Sequence, residues 1–365
     1  MRQKRGLDLR KGNVDLIRKI NGQLVLDVIR RDQPVSRAGI ARKLSLSRST
    51  VSMIVNELME KNIVIEQGTG QSTIHGGRRG TLLGFNPKAA YGMGVDLQEG
   101  HSRAVLADMD GEIVKKEIFS FDHDLMKLKD YLGRFIHEES NARHLMGIGF
   151  SVPSMVKDHE IVVDAPSLGW KNVNLAEELA AEIGLDVYVM NDVNAAAIGE
   201  RELGQARETD HLFYLSMGTG VGSAIIANGE WVPGADQAAG EIGYLLERDA
   251  VDHDEPYTFG RFGSLERKLI ALLKESARSS ESRQELIVQL SVVFANVCYL
   301  LNPEKIIIGG AYESRLRPLI PEIQKKVRRF CPVAADISYS LLGEDAAVMG
   351  SVTGLYRFLQ DLRIK

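Results

Sequence analysis

Cysteine and long apolar runs are scarce in this chain of 365 residues. Only Cys298 and Cys331 are present, which is too few for a disulfide framework or a cysteine-rich metal site. No uninterrupted apolar run approaches the ~18 residues of a membrane span, and the basic start, MRQKRGLDLRKGN, is not followed by the hydrophobic core of a signal peptide. We therefore expect a cytoplasmic protein without a membrane partner.

Charge is divided unevenly along the chain. Residues 1–85 contain 16 Lys and Arg against 7 Asp and Glu, whereas the remainder contains 29 against 42. The length exceeds that of one typical domain. A basic head on an acidic body favours a polyanion as the partner of the head alone, because like charges keep the body away from it.

The stretch Pro34–Lys61 predicts two short helices joined by a tight turn. In the second helix, Val51, Ile54, Val55 and Leu58 recur at i, i+3, i+4 and i+7, so one face is buried and the opposite face is polar. A recognition helix in a DNA major groove needs that arrangement, with short donors and positive charge in its first turn. A solvated helical hairpin is the alternative. The predicted DNA-binding residues, which include the cap of each helix, are Ser36, Arg37, Ser47, Arg48, Ser49, Thr50 and Ser52.

Two short strands, IVIE and TLLGF, flank a glycine-rich connection after the second helix. Together with an amphipathic helix from Asn13 to about Arg31, they predict a winged helix–turn–helix domain over residues 1–85. Arg78 and Arg79 lie where a wing tip enters the minor groove or clasps phosphates, which indicates a double-stranded DNA operator as the partner. A flexible linker with two solubilising arginines is the alternative.

The rest of the chain repeats one pattern. Three consecutive strands followed by a helix begin near Tyr91, and three further strands begin near His211. This repetition predicts an α/β body of two similar lobes. We place the first lobe at residues 86–204, joined by a returning C-terminal helix at 346–365, and the second lobe at 205–345.

Several motifs of the body resemble those of one family. They are MNDVNAAAIGE, LSMGTGVGSAIIANGEWVPGADQAAGEIGY and NPEKIIIGG. With the N-terminal head, they resemble the transcriptional regulators of the ROK family (repressors, open reading frames, sugar kinases), and the head is similar to the xylose-repressor branch. The resemblance covers nearly the whole chain. It implies a two-lobed, actin-like (RNase-H-like) sugar-kinase-type body with a sugar in the cleft, xylose being the leading candidate, and a homodimer.

The same resemblance implies a set of sugar-binding residues: Asn191, Asp192, Glu241, Tyr244 and Glu266. Asp192 corresponds to the catalytic base of the family's kinases, and Tyr244 replaces a family histidine. Independently of the family, a carboxylate that ends a buried strand and opens a helix accepts hydrogen bonds from hydroxyls. The alternative is that Asn191 and Asp192 merely cap the helix. No Lys or Arg lies beside Asn191-Asp192 or in the Gly240–Tyr244 turn, and only Arg261 and Arg267 are nearby in the sequence. The three carboxylates therefore predict a neutral monosaccharide, because carboxylates repel a phosphate.

Two departures from the family pattern argue against an enzyme. Where the superfamily's kinases have Asp-x-Gly-Gly-Thr, this chain has Asp96-Leu97-Gln98-Glu99-Gly100, whose side chains crowd and repel a phosphate. The cysteines of the family's zinc site are missing from residues 257–266, so we expect no metal and no cofactor, with Tyr257, Phe259 and Phe262 packing this loop instead. Asp192 is then a vestigial base with no catalytic role.

The sequence therefore predicts a sugar-responsive transcriptional repressor. Two alternatives remain open. One is an active ATP-dependent sugar kinase that carries a DNA-binding head, and the other is a constitutive DNA-binding protein whose body only dimerises.

Overall fold

A computed structural model describes residues 9–69, 80–140, 143–246, 251–252 and 262–364. The chain divides into two compact units. The first comprises Met1–Tyr91, Asp108–Asp110 and Arg357–Lys365, and the second comprises Gly92–Ala107 and Gly111–Tyr356. The domain boundaries placed after residues 85, 204 and 345 stay predictions.

The first unit contains the winged helix–turn–helix that the sequence predicts. Its three strands form an antiparallel sheet in the order β1-β3-β2. Ile29, Ile40, Val55 and Leu83 are buried between the helices and this sheet. The elements are α1 (Leu9–Asp32), β1 (Val35–Ser36), α2 (Arg37–Leu44), α3 (Arg48–Glu60), β2 (Val64–Thr69) and β3 (Thr81–Phe85).

Local hydrogen bonds explain where α2 and α3 begin. The Ser36 hydroxyl accepts a bond of 3.1 Å from the Gly39 amide, and the Ser47 hydroxyl accepts one of 3.0 Å from the Thr50 amide. Each cap satisfies a backbone donor that has no partner inside its helix. Both predicted caps are confirmed. Strand β1 is not predicted, because two residues are too few to show an alternating pattern.

The first lobe of the body is built on a five-stranded sheet in the order β11-β7-β4-β5-β6. A small second sheet, β10-β9-β8, lies in the connection between β7 and the next helix. The elements are β4 (Tyr91–Asp96), β5 (Ser102–Asp108), β6 (Ile113–Phe119), α4 (Leu125–Ser140), β7 (Leu145–Val152), β8 (Met155–Lys157), β9 (Ile161–Ala165), β10 (Trp170–Asn174), α5 (Leu175–Ile183), β11 (Asp186–Asn191) and α6 (Asp192–Glu202).

The second lobe repeats this topology with the sheet order β14-β13-β12-β15-β16. In each sheet the first strand lies between the second strand and a later one, the second and third strands pair antiparallel, and the last two strands pair in parallel. The predicted repetition of lobes is confirmed. The elements are β12 (Leu212–Met217), β13 (Val221–Ala227), β14 (Glu230–Trp231), α7 (Ser264–Glu275), α8 (Ser280–Leu301), β15 (Lys305–Gly309), α9 (Glu313–Leu316), α10 (Ile320–Phe330) and β16 (Asp336–Tyr339).

A final helix, α11 (Ala346–Ile364), packs against the first sheet of the body. Val348, Met349 and Val352 pack against Val105 of β5 and its neighbours. The helix backbone approaches β7 so closely that a Cβ on Gly149 would lie 2.0 Å from the Ser351 carbonyl oxygen. Only glycine allows this approach, so the sequence of the strand fixes the position of the helix.

Helix α8 is long and apolar enough to cross a membrane by composition, with a mean hydropathy of 1.5 over its most apolar window. Half of that window is buried, and Leu286, Leu290 and Phe294 are fully enclosed in the core of the second lobe. Its hydropathy is high because the exposed face is apolar too. Val288, Val292, Tyr299 and Leu300 are exposed on that face.

Candidate DNA-reading face and candidate sugar site

The N-terminal turn of α3 is open to solvent. Arg48 and Ser49 are exposed. Thr50 and Ser52 are half-buried, and the Thr50 hydroxyl lies 2.8 Å from that of Ser47. The first turn therefore presents a guanidinium and several hydroxyls beside the positive end of the helix dipole, which suits contact with phosphates and base edges.

Arg37 differs from the other predicted contacts because its guanidinium reaches α3. It donates to the Asn56 side-chain oxygen at 3.1 Å and lies 3.3 Å from the Met59 sulfur. Arg37 therefore holds Asn56 on the exposed face of α3. The predicted wing residues Arg78 and Arg79 lie outside the described residues.

Met53 is a residue of this face that the sequence analysis missed. It is 45% exposed on α3, one helical turn from both Ser49 and Asn56. An apolar side chain among polar ones suits contact with a thymine methyl group. Its spacing of three and four residues from Asn56 and Ser49 could have placed it on this face, but a methionine in a helix is ordinarily assigned to the core.

A pocket lies between the two lobes of the body. Its first-lobe side comes from β8, the β8–β9 turn, the end of β11 and the start of α6, and its second-lobe side comes from β13, β14 and the segment after β14. The described residues that line it are Met155, Val156, His159, Met190, Asn191, Val193, Asn194, Gly222, Ser223, Trp231, Gln237, Ala239 and Glu241.

Asn191 lines this pocket, and its side chain caps α6. Its oxygen accepts bonds from the Val193 amide at 2.9 Å and the Asn194 amide at 3.0 Å, while its nitrogen donates to the Ser154 carbonyl at 3.2 Å. The alternative interpretation, that Asn191 caps the helix, therefore holds for its side-chain oxygen. Asn194, one turn further along α6, brings a second amide to the pocket.

Asp192 lies beside a second carboxylate, that of Asp96. A single nitrogen of Gln98 donates to both, at 3.2 Å to Asp96 and at 3.3 Å to Asp192. Asp96 is 2% exposed and also accepts a bond of 2.7 Å from the Ser151 hydroxyl. Burial and the neighbouring Asp96 raise the pKa of Asp192 to about 7. The Gln98 amide thus bridges the two acids, while the Arg103 guanidinium lies 3.9 Å from the other carboxylate oxygen of Asp96.

Glu241 and Glu266 lie close enough for their charges to interact. The pKa of Glu241 is raised by partial desolvation of its carboxylate and by Glu266. Glu266 is 7% exposed, and its two oxygens accept bonds from the Val221 amide at 2.7 Å and the Gly263 amide at 3.1 Å. Glu241 lines the pocket, whereas Glu266 joins the start of β13 to the start of α7.

The predicted sugar residues therefore separate into two groups. Asn191 and Glu241 are among the described residues that line the pocket, whereas Asp192, Tyr244 and Glu266 are not. The expectation that three aromatic residues pack the loop before α7 is wrong for Phe262, which is 54% exposed. Backbone donors hold Glu266 in place instead. Tyr257 and Phe259 lie outside the described residues.

Comparison with known proteins agrees with this architecture. Residues 92–267 match the model of the ROK family, and residues 20–65 match a winged helix–turn–helix DNA-binding model. A candidate xylose repressor of Caldicellulosiruptor sp. (strain Rt8B.4) is 34% identical over 73% of this chain and 69% of its own. The chain belongs to the ROK family.

Two further relatives of this ROK chain extend over almost its whole length. The xylose repressor of Bacillus subtilis (strain 168) is 28% identical, over 92% of this chain and 94% of the repressor. A crystal structure of a ROK-family transcriptional regulator, a homologue of the E. coli MLC protein, has a TM-score of 0.76 at 22% identity and covers 96% of this chain and 99% of its own. The protein therefore has a ROK-family architecture in which a winged helix–turn–helix precedes a two-lobed, sugar-kinase-like body.

Proposed function

We propose that this protein is a cytoplasmic, sugar-responsive transcriptional repressor. The observation that carries the proposal is the pocket between the lobes of a body that follows a DNA-reading head. Its polar side chains, among them Asn194, Ser223 and Glu241, offer both donors and acceptors to the hydroxyls of a sugar.

The proposed effector is a neutral, unphosphorylated monosaccharide. No Lys or Arg is found among the described residues that line the pocket, and the Glu241 carboxylate pairs with hydroxyl donors but repels a phosphate. Arg267, one of the two nearby arginines in the sequence, donates to the Phe262 carbonyl at 2.9 Å. Xylose is the leading candidate, because the relatives described above include proteins named as xylose repressors.

The proposed mechanism is linkage between the pocket and DNA affinity. If the sugar prefers one arrangement of the lobes and the operator prefers the other, sugar weakens operator binding by the difference in affinity, typically ~1–3 kcal/mol. We expect the sugar to release the protein from the operator rather than to recruit it, because the relatives are named as repressors.

A homodimer is part of the proposal. A dimeric helix–turn–helix reader binds two half-sites about one helical turn apart. The exposed apolar face of α8 supports a second copy of the chain as its occupant, because Tyr299 is 64% and Leu300 is 81% exposed. Phe330 and Val333, near the end of α10, are 64% and 67% exposed, and the Tyr299 hydroxyl donates to the Phe330 carbonyl at 2.6 Å. A self-complementary patch of this kind is what a two-fold interface requires.

Thermal unfolding and operator binding test the proposal together. Xylose, glucose and N-acetylglucosamine, each beside its phosphate ester, are added to the full chain. A bound effector at 100 times its dissociation constant stabilises the protein by ~2.7 kcal/mol. We expect one neutral sugar to raise the melting temperature and to weaken operator binding in the same concentration range. Stabilisation by the phosphate ester alone, or stabilisation without any change in operator affinity, would contradict the proposal.

An active sugar kinase is the second candidate, because Asp192 retains a carboxylate with a pKa of about 7, suited to accept a proton near neutral pH. The Gln98 amide on that carboxylate disfavours it. We expect no sugar phosphorylation with ATP and magnesium. Turnover that disappears in Asp192→Asn would establish the kinase.

A further inference from the structure

One wall of the pocket is aromatic and includes side chains from both lobes. His159 comes from the first lobe, where its ring stacks on Tyr188 with centroids 4.6 Å apart and an interplanar angle of 28°. Trp231 comes from the edge strand β14 of the second lobe. The His159 and Trp231 rings meet edge to face, with centroids 6.1 Å apart and an angle of 62°. These two residues will be called the aromatic wall.

The backbone at His159 adopts a conformation that is energetically unfavourable for this residue. Asp158 and His159 have φ angles of 56° and 60°, and the Glu160 amide donates to the Lys157 carbonyl at 3.1 Å. This is a hairpin turn whose two central residues are both left-handed, a position that favours Asn and Gly. A histidine kept in such a conformation commonly marks a functional constraint. Burial also lowers the pKa of His159, so the imidazole presents a neutral ring to the pocket.

The Trp231 indole nitrogen is an independent sign that the wall has a ligand. It is buried, and among the described residues it has no hydrogen-bond partner. A buried indole N–H ordinarily has an acceptor. The other tryptophan of the chain, Trp170, follows this rule, since its nitrogen donates to the His123 carbonyl at 3.1 Å. Because the Trp231 nitrogen is also closed to solvent, an acceptor reaches it only if the β14 segment shifts relative to the first lobe.

The wall faces side chains of opposite character. Asn191, Asn194 and Glu241 supply polar groups, whereas Met155 and Met190 line the pocket with apolar ones. A sugar ring has the same asymmetry, with hydroxyls at its edge and C–H groups on its faces. Aromatic side chains suit such a ligand because they combine a large apolar face with little loss of rotamer freedom.

We propose that His159 and Trp231 determine ligand specificity by packing against the C–H face of the sugar, with the Trp231 N–H donating to a sugar oxygen once the lobes have moved. This inference rests on the proposed function and names a recognition element of the same pocket. The contact between the lobes across the aromatic wall would then change whenever sugar binds.

The two tryptophans allow a matched test by fluorescence. In Trp170→Phe, emission comes from Trp231 alone, and we expect a saturable change on titration with the sugar that stabilises the wild type. In Trp231→Phe, emission comes from Trp170, and we expect no change. Calorimetry should give at least ~10-fold weaker binding for Trp231→Ala, a smaller loss for Trp231→Phe, which keeps a ring but not the donor, and wild-type affinity for Trp170→Phe.

The outcomes separate this inference from the proposed function. Sugar affinity that is unchanged in both Trp231→Ala and His159→Ala would overturn the aromatic wall while leaving the repressor proposal intact. Absence of binding by the wild type would overturn both. If Trp231→Ala proves unstable, the fluorescence of Trp170→Phe decides, since a Trp231 signal that does not respond to bound sugar refutes the contact.

Discussion

At the scale of single residues, Gln98 has the largest consequence for what the body can do. Its amide nitrogen reaches Asp96 at 3.2 Å and Asp192 at 3.3 Å. Burial raises the pKa of both acids, and the neutral Gln98 donor lowers each pKa only in part. The pKa of Asp192 therefore stays at about 7 despite this bond, and the Gln98 side chain occupies the space beside it.

The pKa of Asp192 predicts a change of stability with pH. The group titrates near 3.8 when unfolded and at about 7 when folded. Between these values the folded state binds the proton more tightly, so stability falls as pH rises through this window, and the penalty is complete above pH 7. Asp192→Asn, which cannot ionise, should melt at least ~2–4 °C above wild type at pH 8, a shift that about 1 kcal/mol produces in a unit of this size. The difference should vanish near pH 4.

Melting curves of both proteins from pH 4 to pH 8 measure this effect. Asp236→Asn, at an exposed position, serves as the control and should follow the wild type throughout. A constant difference between Asp192→Asn and wild type across the whole range would show that the substitution acts by packing rather than by ionisation.

Arg48 carries the prediction for DNA recognition. It is exposed at the start of α3, where base edges and phosphates come within reach of the helix N-terminus. Arg48→Ala should weaken operator binding by ~1–3 kcal/mol and bring it closer to the affinity for random DNA. Lys61→Ala removes the same charge at the opposite end of α3. It should weaken binding to operator and to random DNA by similar factors, both smaller than the operator loss of Arg48→Ala. Equal losses on operator and random DNA for Arg48→Ala would refute its role as a reader.

At the scale of elements, Glu266 joins two parts of the second lobe. Its carboxylate accepts from the amide that opens β13 and from the amide that precedes α7. Both donors lie in a buried environment, and a buried donor without a partner costs on the order of 1–3 kcal/mol. The side chain therefore has a structural task whatever its part in sugar binding.

Glu266→Ala should destabilise the body by several kcal/mol, because both amides lose their acceptor. Glu266→Gln keeps one oxygen and should cost less than half as much. Chemical denaturation of the two variants measures the difference. If both variants lose the same free energy of unfolding, the hydrogen bonds to Val221 and Gly263 do not account for the loss. Sugar affinity is then measured on Glu266→Gln, where folding and binding effects are separable.

Local patterns made the helices and caps of the head predictable, whereas much of the sugar site was not. Ser36 and Ser47 each cap an amide only three residues further along the chain, so their roles follow from short-range spacing. The strand repeat of the body is likewise readable from the sequence. His159 and Trp231 lie 72 positions apart and meet only through the fold of both lobes. His159 belongs to none of the quoted motifs, and the motif that contains Trp231 does not indicate its partner. Glu266 was assigned by resemblance, which identifies a position but not its hydrogen-bond partners.

At the scale of the whole molecule, the apolar face of α8 predicts the assembly state. Leu300→Glu places a charge where the proposed second copy packs, so it should convert a dimer to a monomer and weaken operator binding by at least ~10-fold, because paired heads bind through their effective concentration. Leu341→Glu, at a residue that is 61% exposed and follows β16 in the chain, is the matched control. Sedimentation of the three proteins tests this, and a wild type that sediments as a monomer would remove the basis of the two-half-site model.

The return of α11 to the sheet of the first lobe has a consequence for synthesis on the ribosome. The strands of that lobe are made early, yet the helix that covers Val105 and approaches Gly149 is made last. Domains ordinarily fold in the order of their emergence, but here the first lobe stays incomplete until the second has been translated. A nascent chain stalled before Ala346 would expose the apolar surface that Val348 and Val352 cover, and it would be a substrate for chaperones. The earliest-made part of the body is thus the last to close.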